Sequence, residues 1–93
     1  MDKYKIFETN NFRQNLKDIT KGTALKIEAK LLSYVYPQLR KEPHYGNNIK
    51  KLRDLEPETW RYRVGDWRFF YELDEKNKIV YMTAAYNRRE SYR

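Results

Sequence analysis

The sequence predicts an α+β fold in the order β-α-α-β-β-β, a helical hairpin packed on one face of a mostly antiparallel sheet. Three observations carry this. "TWRYRVGDWRFFYEL", residues 59–73, alternates large apolar and charged side chains on either side of Gly65-Asp66, with Phe70 the one exception, the period-2 pattern of a half-buried β-hairpin. Residues 10–41 instead carry apolar side chains at three- and four-residue intervals, the pattern of amphipathic helices. "KIVYMTAAY" is apolar on both faces, as a central strand covered on both sides must be.

Taken in order, "KYKIFET" opens as a short strand, with Tyr4, Ile6 and Glu8 pointing one way and Lys5 and Phe7 the other. Asn10 or Asn11 is placed to cap a helix whose stripe is Phe12, Leu16 and Ile19. Gly22 ends that helix and Thr23 is placed to cap the next. The second helix runs through "ALKIEAKLLSYVYPQLRKE". Ala24, Ile27, Leu31 and Tyr34 form its stripe, and Leu25, Leu32, Val35 and Leu39 broaden it. Pro37 is expected to end or kink it near Tyr36. "PHYGNNIKKLRDLEPE" reads as a loop, tacked to the core by Ile49, Leu52 and Leu55. In the hairpin, Gly65 supplies the positive φ that a type II′ turn needs first. Val64 then faces Trp67 and Arg63 faces Arg68. "DEKNK" is a second turn, and "KIVYMTAAY" returns as the last strand before the ending "NRRESYR".

The 93 residues make one domain, residues 1–93, with no repeat, linker or low-complexity segment. There is no cysteine, so disulfides and thiolate metal sites are excluded. The first residues, "MDKYKIFETNNF", lack the apolar run of a signal peptide, and no stretch has the apolar length of a membrane span. A cytoplasmic protein with no membrane partner is expected. Lys and Arg number 20 against 13 acidic residues, a net charge of +7, and there are nine tyrosines. A basic, tyrosine-rich chain suits nucleic acid, through phosphate attraction and base stacking. It equally suits a basic surface over a small core filled by tyrosine rings.

The usual catalytic residue sets are missing. His44 is the one histidine, in a loop, where a surface role is the commonest. Three scattered glycines make no phosphate loop, and no carboxylate cluster suggests a metal, so neither metal nor cofactor is expected. What remains is arginine and tyrosine. Arg61, Arg63 and Arg68 share the hairpin's outward face, and the tail adds Arg88, Arg89, Tyr92 and Arg93. Like charges directly opposite on a sheet are destabilising. Guanidinium groups keep their charge and bind phosphate bidentately, so an anion would relieve the repulsion. The plainer reading pairs these arginines with Glu72 or a tail glutamate.

With "KKLRDLEPETWRYRVGDWRFFYELD" and the ending "YNRRESYR", the chain resembles the RelE/ParE superfamily of toxins from toxin–antitoxin pairs, over nearly its whole length. The resemblance implies the RelE-like microbial RNase fold, a cytoplasmic location and a cognate antitoxin that wraps the toxin in a hetero-oligomer. RelE-like members cut mRNA in the ribosomal A site. ParE-like members share the fold but poison DNA gyrase and lack the nuclease residues. The RelE-branch positions match Arg61 and Arg63 on the second strand, Arg68 on the third, and Arg88 and Tyr92 in the tail. This favours a ribosome-dependent endoribonuclease with ribosome and mRNA as partners. The alternatives are a gyrase inhibitor and a degenerate antitoxin-binding member. Two positions depart from relatives: arginine stands where some have lysine, and Asn87 stands where many have histidine.

The implied reaction is attack of the RNA 2′-OH on the adjacent phosphorus, giving a 2′,3′-cyclic phosphate and a 5′-OH end. Arg61, Arg63 and Arg68 would stabilise the developing charge, Tyr92 would serve as base, and Arg88 would contact the phosphate or leaving oxygen. Arg89 and Arg93 would add RNA contacts.

Overall fold

The computed structural model describes residues 2–19, 24–53 and 57–88. Gly22, Thr23, Leu55, Arg89, Tyr92 and Arg93 lie outside the described residues, as do the side chains of Ile19, Ala24 and Leu25. Strand β1 (Lys5–Glu8) leads into helix α1 (Asn10–Ile19). Helix α2 (Ala24–Lys30) passes through a π turn (Leu31–Val35) into α3 (Tyr36–Lys41). Strands β2 (Ile49–Lys51), β3 (Trp60–Val64), β4 (Trp67–Asp74) and β5 (Ile79–Asn87) follow. They form one five-stranded sheet in the order β1-β5-β4-β3-β2. Only the β1–β5 pair is parallel.

The helices cover one face. Phe12, Leu31, Val35 and Leu39 from the helices meet Phe69, Tyr71, Val80 and Met82 from the sheet, all buried. Trp60 stacks on Tyr71 and Trp67 on Phe69, so the hairpin's alternation delivers its rings to the core as the pattern requires. Gly65 has φ +57°, while Asp66 is not among the positive-φ residues, which is the type II′ arrangement.

Three local expectations are corrected, and a fourth, at Pro37, is refined. The first helix is capped by Thr9, not by Asn10 or Asn11. The Phe12 N–H donates to Thr9 Oγ1 (3.2 Å), whose hydroxyl in turn donates to the Met82 carbonyl (2.8 Å). Of the two outcomes expected at Pro37, an end or a kink near Tyr36, the helix does not end; it is distorted there, a π turn giving way to α-helix at Tyr36. Proline's ring would collide with the carbonyl four residues earlier. Here the Tyr36 N–H reaches back five residues to the Leu31 carbonyl, widening the helix just ahead of the proline. Pro37 then sits in the first turn of the resumed α-helix, where a missing N–H costs little.

The same turn redraws the buried stripe. Ile27, Leu31, Val35 and Leu39 are inside at steps of four, while Leu32 and Tyr34 are largely exposed. Steps of four drift by about 40° each on a regular α-helix. The wider π turn takes up that drift. Finally, the loop after Pro43 contains β2, an added edge strand that pairs antiparallel with β3.

Strand β5 carries the feature that matters most for the outer face. Its pairing with β4 shifts between Phe70 and Tyr71: Phe70 faces Ala84, but Tyr71 faces Met82. Thr83 is therefore the extra residue of a β-bulge. Val80 and Met82 point inward before it, Ala85 and Asn87 after it, and all four are buried. One inserted residue flips every later side chain to the opposite face. Helix α1 fastens the bulge. Asn11 Nδ2 donates to the Thr83 carbonyl (2.8 Å), and the Ala85 N–H donates to Asn15 Oδ1 (3.1 Å).

Candidate phosphate-binding face

Two rows of side chains stand on the outward face of the sheet at its hairpin end. Arg63 pairs with Arg68, and Arg68 with Tyr86. One step along, Lys50 pairs with Arg61, Arg61 with Phe70, and Phe70 with Ala84. The Arg63 N–H also donates to the Asn48 carbonyl (2.9 Å), carrying β2 one residue into the first row. The expected Arg63–Arg68 opposition is thus present. The edge strand adds a second like-charged pair, Lys50 with Arg61. Lys50 joins the block only through this edge strand, which the loop-like composition of its segment does not announce.

The described carboxylates do not neutralise this block. Among the described residues, none of Lys50, Arg61, Arg63, Arg68 or Arg88 forms an ion pair; carboxylates there pair instead as His44 with Glu42 and Glu75, and Lys51 with Glu58. Glu72 therefore does not pair with the arginines. Arg63 Nε makes a long hydrogen bond to the Gly65 carbonyl (3.4 Å). Arg61 Nε is buried with no hydrogen-bond partner among the described residues. A charged donor left so costs free energy until an acceptor arrives. Beside it lies an open cleft of about 470 Å³, lined by Asn47, Asn48, Lys50, Arg61, Arg63 and Gly65. Stacked guanidinium and ammonium groups around such a cleft are suited to a phosphate oxygen.

The tail enters this neighbourhood. Trp67 pairs with Asn87, and the Arg88 N–H donates to the Asp66 carbonyl (2.9 Å), so Arg88 starts beside the hairpin turn. Arg88 is exposed; Arg89, Tyr92 and Arg93 lie outside the described residues. Asn87 is buried on the inner face.

Several tyrosines are unsuited to proton abstraction. Burial pushes the Tyr4 phenol up to about 12, helped by its hydrogen bond to Glu75. Burial likewise raises Tyr71, which donates to the Pro43 carbonyl (2.7 Å), and raises Tyr36, which donates to Glu8. All three remain protonated donors that tie the core together.

His44 is not the simple surface residue expected. Its Nδ1 lies 2.8 Å from Glu42 Oε1 and its Nε2 3.0 Å from Glu75 Oε1, and its ring packs edge-on against Trp60. This clasp fastens the loop after α3 to the end of the sheet away from the hairpin turn. No group of three or more His, Cys, Asp or Glu residues able to hold a metal occurs among the described residues. No described helix is long and apolar enough to cross a membrane.

Comparisons with known proteins agree with this architecture. The family model for the ParE toxin of the type II toxin–antitoxin system parDE matches residues 6–92. No curated protein matches. Among solved structures, the chain is similar to one in the RelBE2 toxin–antitoxin complex of Mycobacterium tuberculosis, at 19% identity and a TM-score of 0.68, covering 91% of this chain and 98% of that one. It is similar to one in the archaeal RelE–RelB complex of Pyrococcus horikoshii, at 19% identity and a TM-score of 0.57, covering 92% and 96%. A conserved hypothetical protein of Helicobacter pylori gives 17% identity and a TM-score of 0.65, covering 95% and 98%.

Proposed function

Since the chain belongs to the ParE toxin family of type II toxin–antitoxin systems, within the RelE/ParE superfamily, we propose that this toxin is an endoribonuclease that cuts mRNA in the ribosomal A site. Its partners in this reading are a cognate antitoxin, as in the RelBE2 and RelE–RelB complexes, and the ribosome with its mRNA. The observation that carries the reading is the outward block of Lys50, Arg61, Arg63 and Arg68. Its like-charged residues face one another in two cross-strand pairs, and Arg61 Nε is buried with no hydrogen-bond partner among the described residues.

The chemistry follows from placing one phosphodiester on this block. The RNA 2′-oxygen bonds to phosphorus, the bond from phosphorus to the 5′-oxygen breaks, and a 2′,3′-cyclic phosphate and a 5′-OH remain. Arg61, Arg63 and Arg68 stabilise the charge that builds on the phosphorane oxygens. Tyr92 takes the 2′-OH proton, and its phenol needs neighbouring guanidinium groups to lower a reference pKa of about 10. Arg88 contacts the phosphate or the leaving oxygen, which takes a proton to become the 5′-OH. Arg89 and Arg93 extend the contacts along the RNA. With no strong acid or base in the set, the enzyme depends on the ribosome to orient the strand. Cleavage of free RNA is accordingly slow.

The matched family is named for ParE, and this favours a second reading in which the same face serves a non-nucleolytic gyrase poison. Primer extension on mRNA from induced cells separates the two. New 5′ ends inside translated codons support the nuclease. Gyrase-linked DNA breaks without new mRNA ends overturn it.

A further inference from the structure

The aromatic half of the outward face has no role in the chemistry above. Tyr86 stands directly across from Arg68, and Phe70 follows Arg68 two residues along the same strand. Ala84, the partner of Phe70 and two residues before Tyr86 on the same strand, is too small to cover either ring. Most aromatic residues of the hairpin region are already engaged: Trp60 with Tyr71, Trp67 with Phe69, and Phe12 with Phe69. Phe70 and Tyr86 have no ring contact among the described residues, and both are half-buried.

Tyr86 is outward only because of the bulge. In an unbroken strand, the alternation that buries Val80 and Met82 would bury Tyr86 too. The inserted Thr83 reverses the phase and sets the ring beside the arginines. Bulges re-aim side chains in this way next to functional sites. Holding this one requires two asparagines of α1, which accept the Ala85 N–H and donate to the Thr83 carbonyl. A chain that needed only a covered sheet could have kept regular pairing.

We infer that Tyr86 and Phe70 form a stacking platform for nucleobases of single-stranded RNA whose backbone lies on the Arg61–Arg63–Arg68 block. A cationic track flanked by unpartnered aromatic faces is how sequence-tolerant single-strand binding is built. Phosphate attraction alone would not select a single strand over a duplex, because the duplex has the higher charge density. The platform does, since only unpaired bases can offer a free face. The inference deepens the nuclease reading and rests on it for the identity of the strand.

The test is fluorescence anisotropy of a short, labelled single-stranded RNA with the purified toxin, together with A-site cleavage on programmed ribosomes. Loss of a stacked base is expected to weaken binding by about fivefold or more in Tyr86→Ala, and comparably in Phe70→Ala. Tyr86→Phe keeps the ring and should bind as the wild type does. The slope of affinity against salt should be unchanged in all three, because no phosphate contact is lost. Arg68→Gln should reduce it by roughly 0.7. Duplex of the same length should bind more weakly than the single strand and be indifferent to Tyr86→Ala. Equal loss in Tyr86→Phe and Tyr86→Ala, wild-type binding by Tyr86→Ala with an unaltered melt, or tighter binding of duplex overturns the platform. Cleavage by wild-type toxin beside an unaffected Tyr86→Ala sinks the platform and leaves the nuclease standing. Tyr86-dependent RNA binding without cleavage does the reverse.

Discussion

Substituting Asn15 by alanine tests whether the bulge is held by the helix or is intrinsic to the strand. Asn15 Oδ1 accepts the Ala85 N–H at 3.1 Å in a partly buried position, and no other acceptor for that amide stands in the described geometry. Removing one partner of a buried pair costs about 1–3 kcal/mol. Alanine's better helix propensity returns about half a kcal/mol. The net loss is about 0.5–2.5 kcal/mol, which for a chain of this size lowers Tm by roughly 2–20 °C, at about 4–8 °C per kcal/mol. Hydrogen exchange locates the loss: the Ala85 amide should exchange faster in Asn15→Ala, while amides of β1 and β3 keep their protection relative to global stability. Asn11→Ala, whose bond to Thr83 is exposed, should cost less. A wild-type melt together with an unchanged Ala85 exchange rate would refute the claim that α1 fastens the bulge.

Arg68→Met keeps the aliphatic stem but removes one charge of the Arg63–Arg68 pair. Relief of about 0.2–1 kcal/mol of like-charge strain should leave Tm unchanged or a few degrees higher, while growth arrest on induction is lost and antitoxin binding is kept. Undiminished toxicity with an equal melt sinks that prediction. Tyr92→Phe should lower the single-turnover rate of A-site mRNA cleavage with little change in ribosome affinity, and an unchanged rate removes Tyr92 from the mechanism. At the other end of the sheet, hydrogen bonds from His44 hold the Glu42 carboxyl below its usual 4.5. A depressed carboxyl stabilises the fold above its unfolded pKa and loses that contribution as pH falls through the folded value. The Tm advantage of the wild type over Glu42→Gln should therefore be full at neutral pH and shrink below pH 4.5. An advantage that is constant with pH contradicts the assignment.

The elements legible in the sequence are those whose pattern is local. Trp60 to Leu73 alternates, with Phe70 the one apolar exception, around a turn whose glycine specifies its own geometry, so register, face and turn type all follow from fourteen consecutive positions. Phe12 and Leu16 mark the inner side of α1 in the same way. What escaped needs contacts from elsewhere. Strand β2 spans three residues and exists only because β3 offers it a partner; "IKK" by itself has no period to read. The helix crosses Pro37 because a π turn precedes it, and a single-residue widening leaves no trace in a pattern of threes and fours. Thr9, not an asparagine, caps α1 because its hydroxyl is also claimed by the Met82 carbonyl across the fold.

The site divides along the same line. Arg61, Arg63 and Arg68 were legible because hairpin alternation forces them to one face, and their mutual repulsion is itself the signal. Lys50 and Tyr86 were not: one depends on the edge strand, the other on a bulge that reverses the face of a residue without altering its neighbours in sequence. Both add to the pattern that the arginines began. Two like-charged cross-strand pairs cost together at most about 2 kcal/mol. Burying one aromatic such as Phe69 returns about that much, so this core can carry the burden but gains nothing from it. The bulge is a second departure from regular pairing, and it sends an aromatic ring out of the core to the same place. Stability explains neither departure. On the reading proposed above, both serve a face suited to a ligand with negative charge and a flat apolar surface, and a nucleotide has the two together.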